Sequence, residues 1–265
     1  MKETDAWDIV KIARDPNRLT GRDFIENVFE DFFELHGDRC YGDDPALIGG
    51  LAFLDKQPVM LLAQERGKGP EDEITHNFGM VKPEGYRKSL RLFKQAEKFS
   101  IPVVCLIDTP GASSDIGSEY RGQANSIAYC LRELAMLKTP VVSIILGQGG
   151  SGGALALAVA GAVYMFEYSV YSILSPEGFA NILFKDPTKK VEAAKVMKLT
   201  SRDLYSLGVI DGIIPEKPDG NWHHPEESYH DVKEILLKEL DLLMRLSPEE
   251  LVARRMARFQ FIAEK

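Results

Sequence analysis

The sequence is poor in cysteine. Its 265 residues include three, Cys40, Cys105 and Cys130, and they contain no C-x-x-C pair. Three widely spaced cysteines support neither a disulfide framework nor a cysteine-rich zinc site, and they are typical of proteins from a reducing compartment. We therefore expect no metal site in this chain.

The sequence also lacks a long apolar run and an excess of positive charge. The longest apolar stretch, Ala154 to Val163, is too short to cross a bilayer. The first ten residues, MKETDAWDIV, do not resemble a signal or transit peptide. The net charge of −8 argues against a nucleic-acid surface. We expect a cytoplasmic protein with no membrane partner and no nucleic-acid partner.

Periodicity predicts helices at both ends of the chain. Apolar residues at spacings of three and four predict helix over residues 5–36. Residues 229–265 are also predicted helical, with a break where Ser247 suits the N-cap and Glu250 the third helical position. We therefore divide the chain into an N-terminal helical segment (1–48), a core (49–228) and C-terminal helices (229–265).

The core combines a hairpin with a near-repeat. GGLAFLDKQPVMLLAQE (49–65) predicts the hairpin, and Pro83 suits the first turn of the helix that follows. IPVVCLIDTPGA from Ile101 and TPVVSIILGQGG from Thr139 each predict a buried strand that leads through small residues towards a helix. Looser matches follow in VYMFEYSVYSILSPEG and LGVIDGIIPE. Such alternation predicts an α/β fold with a parallel sheet.

Glycine is concentrated in one place, LGQGGSGGALALAVAGA (146–162). We expect a strand ending at Gly147, a glycine-rich loop and a small-residue helix, with glycines used for close approach and for positive φ. The free N–H groups at such a helix start bind an anion or a developing oxyanion. A tight crossover without a ligand is the alternative. The stretch is neither a P-loop nor a nucleophile elbow, and no histidine lies near a comparable turn to activate Ser151.

A second donor-rich turn follows the preceding strand. Asp108 ends that strand, and Pro110-Gly111-Ala112 turns away from it. Because carboxyl ends of parallel strands meet at one edge of a sheet, the two turns are expected to share one crevice. Asp108 alternatively serves as a capping or turn carboxylate.

These segments carry a family resemblance. HNFGMVKPEGYRKSLRLFKQAEKF, PVVCLIDTPGA, GSEYRGQ, GQGGSGGALA, YSVYSILSPEG and LGVIDGIIPE resemble the carboxyltransferase α subunits of bacterial and plastid acetyl-CoA carboxylase, from about Trp7 to the C-terminus. The resemblance implies a crotonase-like fold of repeated ββα units with flanking helices. It also implies transfer of a carboxyl group from carboxybiotin to acetyl-CoA, giving malonyl-CoA for fatty acid synthesis.

The resemblance implies partners as well. A zinc-containing β subunit would complete an α2β2 assembly, a biotin carboxyl carrier protein would present the biotin, and an ATP-dependent biotin carboxylase would charge it. Because biotin itself can take the methyl proton of acetyl-CoA, the protein has to supply two oxyanion sites and alignment, and no base. The α subunit would hold the ureido oxygen of biotin, and the β subunit the enolate.

Site residues follow from the matching motifs. We expect the backbone N–H groups of Gly152 and Gly153 to bind the ureido oxygen. Neighbouring residues would shape the pocket: Gly149, Gly150, Gly111 and Ala112. A basic cluster, of which Arg87 and Arg91 are the main members beside Arg66, Lys68 and Lys88, either contacts CoA phosphates or the carrier protein, or is a solvated helix face.

The chain departs from the family pattern at two points. Ser113-Ser114-Asp115 replaces Tyr-Pro-Gly, and Tyr120 replaces a glutamate. These changes leave the acyl preference open. A carboxyltransferase for another acyl-CoA, a crotonase-like hydratase or decarboxylase that acts alone, and an inactive scaffold remain as alternatives.

Overall fold

The computed structural model describes residues 4–262, except for the side chain of Phe261. One sheet contains eight strands, in the order β1-β2-β3-β4-β5-β6-β8, with β7 paired to β5 off this path. Strand β2 runs antiparallel to both β1 and β3, and every pairing from β3 onward is parallel. Their bounds are Glu30–Glu34 (β1), Leu47–Leu54 (β2), Gln57–Gln64 (β3), Val103–Thr109 (β4), Val141–Gly150 (β5), Ala162–Phe166 (β6), Val170–Ser172 (β7) and Gly212–Ile214 (β8).

Helices cover the sheet and connect its strands. The early ones are Ala6–Ala13 (α1), Gly21–Val28 (α2), Pro70–Thr75 (α3), Pro83–Lys98 (α4), Ile116–Tyr120 (α5), Gln123–Met136 (α6) and Ser151–Ala158 (α7). The later ones are Pro176–Phe179 (α8), Lys190–Met197 (α9), Ser201–Ser206 (α10), Pro225–Leu243 (α11) and Pro248–Phe261 (α12). A π-helical turn, Ala180–Phe184, follows α8. Within the described range, no helix is both long enough and apolar enough to cross a membrane.

Both faces of the sheet are packed. Alternate residues of β4 point to opposite sides: Cys105 joins the core under α4, α6 and α7, and Leu106 joins the core under α2 and α11. All seven residues of β4 are buried. A strand that is covered on both faces has no solvent side, which explains the continuous apolar run in the sequence.

Most predicted elements are confirmed. The strands β2 and β3 form the hairpin, turning at Asp55 with φ of 52°. The helix α4 begins at Pro83, and α12 begins at the Ser247 cap with the reciprocal Glu250 bond.

One prediction near the N-terminus is wrong. Residues 6–13 and 21–28 are helical, whereas 30–34 form β1 and pair with β2. Phe32 and Leu35 fit the helical spacing by coincidence. The five residues of β1, at the edge of the sheet, are too few to distinguish the helical repeat of about 3.6 residues from the strand repeat of about two. Helix α11 also starts at Pro225, before residue 229. The division into three segments stays a prediction, and residues 263–265 of its last segment lie outside the described residues.

Candidate active site

The site lies where β4 and β5 end side by side. Strand β4 ends at Thr109 and leads into the Pro110-Gly111-Ala112 turn. Strand β5 ends at Gly150, and α7 begins at the next residue, Ser151. The two predicted turns therefore share one crevice at the carboxyl edge of the sheet, in the position where α/β proteins bind ligands.

Close packing explains two of the glycines. A Cβ on Gly150 would lie 2.1 Å from the carbonyl oxygen of Pro110. A Cβ on Gly153 would lie 2.6 Å from the amide nitrogen of Ala112 and 2.9 Å from the carbonyl carbon of Gly111. These are backbone atoms at distances that real side chains do not reach. The predicted close approach is confirmed at both glycines.

Two other expectations about this stretch are wrong. The strand continues to Gly150 instead of ending at Gly147, so it runs directly into α7 without a separate loop. Positive φ belongs to Ser151, at 52°, and to none of the glycines between 147 and 153. Sequence reasoning assigned that conformation to glycine because a side chain is strained there by about 1–3 kcal/mol. Here the tight turn from strand to helix imposes it on serine.

The first turn of α7 presents backbone donors. Gly152 and Gly153 occupy its second and third positions, and the N-cap, Gly150, has no side chain that could accept from them. N–H groups at these positions have no partner within their own helix, and the helix dipole adds partial positive charge. Such a place suits an oxygen that becomes negative during a reaction.

The glycines and the facing turn do not contribute equally. A Cβ on Gly152 would meet only Ile127, at 3.6 Å, so sterics do not require glycine there. The N–H of Gly111 already donates to Thr109 Oγ1 at 3.1 Å, which leaves Gly111 to shape the turn. Gly149 packs against the ring of Tyr171 on β7, where a Cβ would be 2.9 Å from Cδ2. The crevice therefore brings together Gly150, Gly153 and the Gly111–Ala112 turn.

A mostly apolar cavity opens beside Gly152. Its volume is about 660 Å³. Leu155, Tyr171, Phe179 and Val209 line it, and Lys198 is its charged side chain. The cavity suits a ligand with an apolar body whose polar end reaches the start of α7.

Two side chains hold the Gly153 carbonyl from behind. Gln64 donates to it from Nε2 at 2.8 Å, and Tyr86 donates from its hydroxyl at 3.3 Å. Tyr86 is fully buried, and burial raises the pKa of its hydroxyl well above the usual value. Nothing in the local sequence around these residues indicated contact with the glycine-rich stretch.

Buried charges lie behind the ends of the two strands. Asp108 accepts from the N–H of Gln148 at 2.8 Å and faces Arg66 Nε at 3.4 Å. Burial raises the pKa of the Asp108 carboxyl, against the opposing effect of Arg66. Arg18 pairs with Glu216 at 2.6 Å, and both side chains are buried. The Asp108 carboxyl thus bonds to the backbone of strand β5, so the predicted role as a capping or turn carboxylate is wrong. Sequence reasoning missed Arg18.

The basic residues do not form one exposed cluster. Arg87 binds Asp38 Oδ2 at 2.7 Å and the carbonyl of Arg121 at 2.9 Å. Arg91 binds the carbonyls of Gly37 and His36. Lys88 is fully buried. A freely solvated face is therefore wrong for this side of α4, and contact of Arg87 and Arg91 with a substrate stays a prediction.

One cluster in the described part of the chain has the composition of a metal site. Ligand atoms of Glu34, His36 and Asp43 lie within 4.8 Å of one another. However, Lys88 Nζ lies 3.0 Å from Asp43 and 3.5 Å from Glu34. Its single positive charge offsets one of the two carboxylate charges. Although burial opposes the shift, hydrogen bonds from Gly37, Lys88 and His36 lower the pKa of Asp43 to about 2. We assign no metal to it.

The residues that depart from the family pattern form a local network. Asp115 caps α5 by accepting from the N–H of Ser118 at 2.9 Å. The hydroxyls of Ser113 and Ser118 donate to its other oxygen. These bonds lower the pKa of the Asp115 carboxyl. Tyr120 is exposed. The changed segment therefore stabilises its own turn.

Comparison with known sequences identifies close relatives. Residues 1–263 match the family described as acetyl co-enzyme A carboxylase carboxyltransferase-like. The acetyl-coenzyme A carboxylase carboxyl transferase subunit alpha of Clostridium perfringens is 49% identical over 262 residues, which are 99% of this chain and 97% of that protein. A protein of Clostridium tetani described as subunits beta/alpha is 48% identical over 98% of this chain. The match covers 45% of the Clostridium tetani protein.

Solved structures support the fold. Transcarboxylase 12S, with methylmalonyl-coenzyme A and methylmalonic acid bound, superposes with a TM-score of 0.72 over 89% of this chain and 44% of that one, at 19% identity. A Pseudomonas malonate decarboxylase hetero-tetramer in complex with coenzyme A gives 0.65 over 82% of this chain and 86% of that one, at 18% identity. The predicted crotonase-like fold is confirmed. Because the family model covers residues 1–263 and nearly half of the residues are shared with a relative of similar length, the chain belongs to the acetyl-coenzyme A carboxylase carboxyltransferase family, as an α-type subunit.

Proposed function

We propose that this chain is the half of an acetyl-CoA carboxyltransferase that receives biotin. It acts with a β-type subunit to move a carboxyl group from carboxybiotin to acetyl-CoA, and malonyl-CoA is the product. The observation that carries the proposal is the contact between Gly153 and the Gly111–Ala112 turn, which brings the start of α7 to the crevice. The names of the α-type relatives support the same activity.

The reaction requires the protein to stabilise a negative charge that develops on biotin. Carboxybiotin, when bound, supplies the carboxyl group as CO2 and leaves negative charge on its ureido oxygen. The N–H groups of Gly152 and Gly153 would hydrogen-bond that oxygen, and each such donor is typically worth about 10²–10³ in kcat. The buried bonds from Gln64 and Tyr86 hold the Gly153 carbonyl, in the peptide unit that follows the two donors, so the first turn of α7 is fixed in place before the substrate arrives.

The cavity beside Gly152 fits this ligand. Its apolar lining suits the fused rings of biotin, and its volume of about 660 Å³ is large enough for them. The apolar side chains would also exclude water, and hydrogen bonds in a dry site are stronger.

The proposal requires other proteins. The fused beta/alpha relative indicates that the α and β types work in one assembly. We infer a zinc-containing β subunit in an α2β2 complex, which would hold the enolate of acetyl-CoA. A biotin carboxyl carrier protein would present the biotin, and a biotin carboxylase would charge it. Cytoplasmic location stays a prediction.

The test is to co-express the chain with the β-type subunit of its host. The purified complex and the isolated chain are then assayed for carboxyl transfer between malonyl-CoA and free biocytin. We expect a transfer rate with the complex and none with the chain alone. Transfer at the full rate by the isolated chain would contradict the division of labour.

The same preparation separates the alternatives. Acetyl-CoA, propionyl-CoA and a longer acyl-CoA are compared in the carboxylation direction, because the Ser113–Asp115 segment leaves acyl preference open. Turnover of an enoyl-CoA by the isolated chain would support a hydratase instead. Assembly with the β subunit without any carboxyl transfer would support an inactive scaffold.

A further inference from the structure

Strand β5 does not run straight into the site. Ile107 of β4 pairs with Ile145, whereas Thr109 pairs with Gly149. Three residues of β5 therefore lie opposite a single residue of β4, Asp108. At the same point β5 changes its other neighbour, from β6 to β7. Such a bulge bends a strand and redirects the residues after it. In this chain the redirected segment is Gly150 and the start of α7.

The bulge costs the sheet some ladder bonds, and side chains replace them. The carbonyl of Leu146 accepts from Arg18 Nε at 2.8 Å and from Nη2 at 2.6 Å. The N–H of Gln148 donates to Asp108 Oδ1 at 2.8 Å. Arg18 and Asp108 are 0% and 1% exposed, so neither bond is exchanged for water. Each side chain satisfies a backbone group that would otherwise be buried without a partner.

The replacement is built from charges that need further support. Arg18 also binds both oxygens of Glu216, at 2.6 and 2.8 Å. Asp108 Oδ2 faces Arg66 Nε at 3.4 Å, and neither of these two atoms has a hydrogen-bond partner among the described residues. A Cβ on Gly147 would lie 2.8 Å from Asp108 Oδ1. Burying the four charges of Arg18, Glu216, Asp108 and Arg66 gains little stability compared with apolar packing. We therefore look for their role in the geometry of the strand that they hold.

We propose that Asp108 and Arg18 are positioning residues for carboxyl transfer, because they fix the bulge that aims the Gly153 N–H. Neither side chain needs to touch substrate. The inference rests on the proposed function, since it assigns to these residues the orientation of that donor. It predicts that removing the Asp108 carboxyl lowers kcat and leaves the KM values for the substrates almost unchanged.

The first test compares two variants at Asp108 in the assembled complex. Asp108→Ala removes the acceptor for Gln148. We expect kcat to fall about 10–100-fold, because a misplacement near 1 Å costs about that much, with both KM values within about threefold. Asp108→Asn keeps an oxygen that can accept from Gln148, and we expect it to recover most of the lost kcat.

The second test uses a matched arginine at the other end of β5. Arg255 is also 0% exposed. Its guanidinium binds the carbonyl of Leu134 in α6 and those of Leu137 and Thr139 in the turn that leads into the strand. Arg18→Lys and Arg255→Lys each keep a positive charge and lose the guanidinium fork. Both should lower Tm. Only Arg18→Lys should lower kcat, by about tenfold or more.

The outcomes are separable. Wild-type complex without carboxyl transfer contradicts the proposed function itself. Active wild type together with a near-normal kcat for Asp108→Ala overturns the positioning role. If Asp108→Ala does not assemble, the two lysine variants decide: equal kcat values for Arg18→Lys and Arg255→Lys overturn the proposal, and a selective loss at Arg18 supports it. A rise in KM without a fall in kcat also overturns it.

Discussion

The two halves of β5 solve the same backbone problem differently. Residues 141–145 pair regularly with β4 on one side, and 142–145 with β6 on the other, without a glycine. Residues 146–150 contain three glycines and a bulge, and they rely on buried side chains for their hydrogen bonds. A regular ladder satisfies the backbone without charge. The carboxyl half loses that regularity and gains a strand end that can present donors to a ligand.

The difference shows where the chain departs from locally favourable choices. Glycine in a strand costs about 0.5–1 kcal/mol relative to alanine, and buried ion pairs add little stability. Both features accumulate at the carboxyl half of β5 and are absent from 141–145. Conflicts between local preference and fold are expected at functional sites. Variants in and around the two halves would sharpen this contrast or remove it.

The largest effect is expected at the glycines. Gly153→Ala places a methyl 2.6 Å from the amide nitrogen of Ala112, so one of the two backbone segments must move. We expect kcat to fall by about 10²–10³, the usual cost of one oxyanion donor. The control is Gly161→Ala at the amino edge, where a Cβ would meet Leu243 side-chain atoms at 3.3 Å. It should alter Tm slightly and leave kcat unchanged. The two variants are compared with wild type by measuring kcat, Tm and assembly with the β-type subunit on the same samples.

Gly152→Ala refines this prediction. Its Cβ would meet only Ile127, at 3.6 Å, so folding should be unaffected.

The prediction for Gly153 can be contradicted directly. A Gly153→Ala complex that assembles normally and keeps more than about a third of its kcat would remove the start of α7 from the active site, because loss of an oxyanion donor costs about 10²–10³ in kcat.

The second effect is in the pH dependence of stability. Asp44, near the carboxyl edge, has its pKa raised to about 6 by burial, against hydrogen bonds from Lys82 and Ala46. Because the folded pKa exceeds the unfolded value of 3.8, this contribution is full below about pH 4 and is lost as pH rises through 6. The free energy of unfolding of wild type minus that of Asp44→Asn should fall by about 3 kcal/mol across that range.

Arg255 supplies the control for this titration. Burial lowers the pKa of its guanidinium to about 10, so it does not titrate between about pH 4 and 7. Arg255→Lys should therefore keep the wild-type dependence in the acid range. Equal dependence in Asp44→Asn and wild type, measured by denaturant unfolding at several pH values, would contradict the raised pKa.

Sequence reasoning recovered the features that are local in the chain. Proline at the start of α4 and the capping pair Ser247 and Glu250 need only neighbouring residues, and both were predicted correctly. The carboxyl half of β5 was predicted to approach another backbone, and it does. Its bulge was not predicted, because Arg18 contacts Leu146 from 128 positions away. No local pattern encodes such a contact. The positive φ of Ser151 was missed for a related reason, since the surrounding fold imposes it.

The third prediction compares two buried tyrosines. Tyr86 donates to the Gly153 carbonyl at 3.3 Å, and Tyr164 donates to Glu239 at 2.7 Å on the other face of the sheet. Tyr164→Phe leaves a buried carboxylate without that donor and should cost about 1.5–3 kcal/mol of stability, with kcat unchanged. Tyr86→Phe should cost about 0.5–1.5 kcal/mol and also lower kcat. A Tyr86→Phe complex with wild-type kcat would show that Gln64 alone is sufficient to hold the Gly153 carbonyl.

The smallest effect on activity is expected at Arg87 and Arg91. Both guanidinium groups bond to the segment before β2: Arg87 to Asp38, which is 0% exposed at its side chain, and Arg91 to the carbonyls of His36 and Gly37. Replacing Arg87 by methionine removes a charged partner of a buried carboxylate. We expect a loss of about 1.5–3 kcal/mol of stability, because hydrogen bonds to charged groups are worth that much. The KM values for acyl-CoA and biocytin should then stay close to wild type in both Arg87→Met and Arg91→Met. A raised KM for acyl-CoA with unchanged Tm would instead identify these arginines as contacts for the CoA phosphates. A raised KM for the carrier protein, with an unchanged KM for free biocytin, would identify a docking surface for the carrier.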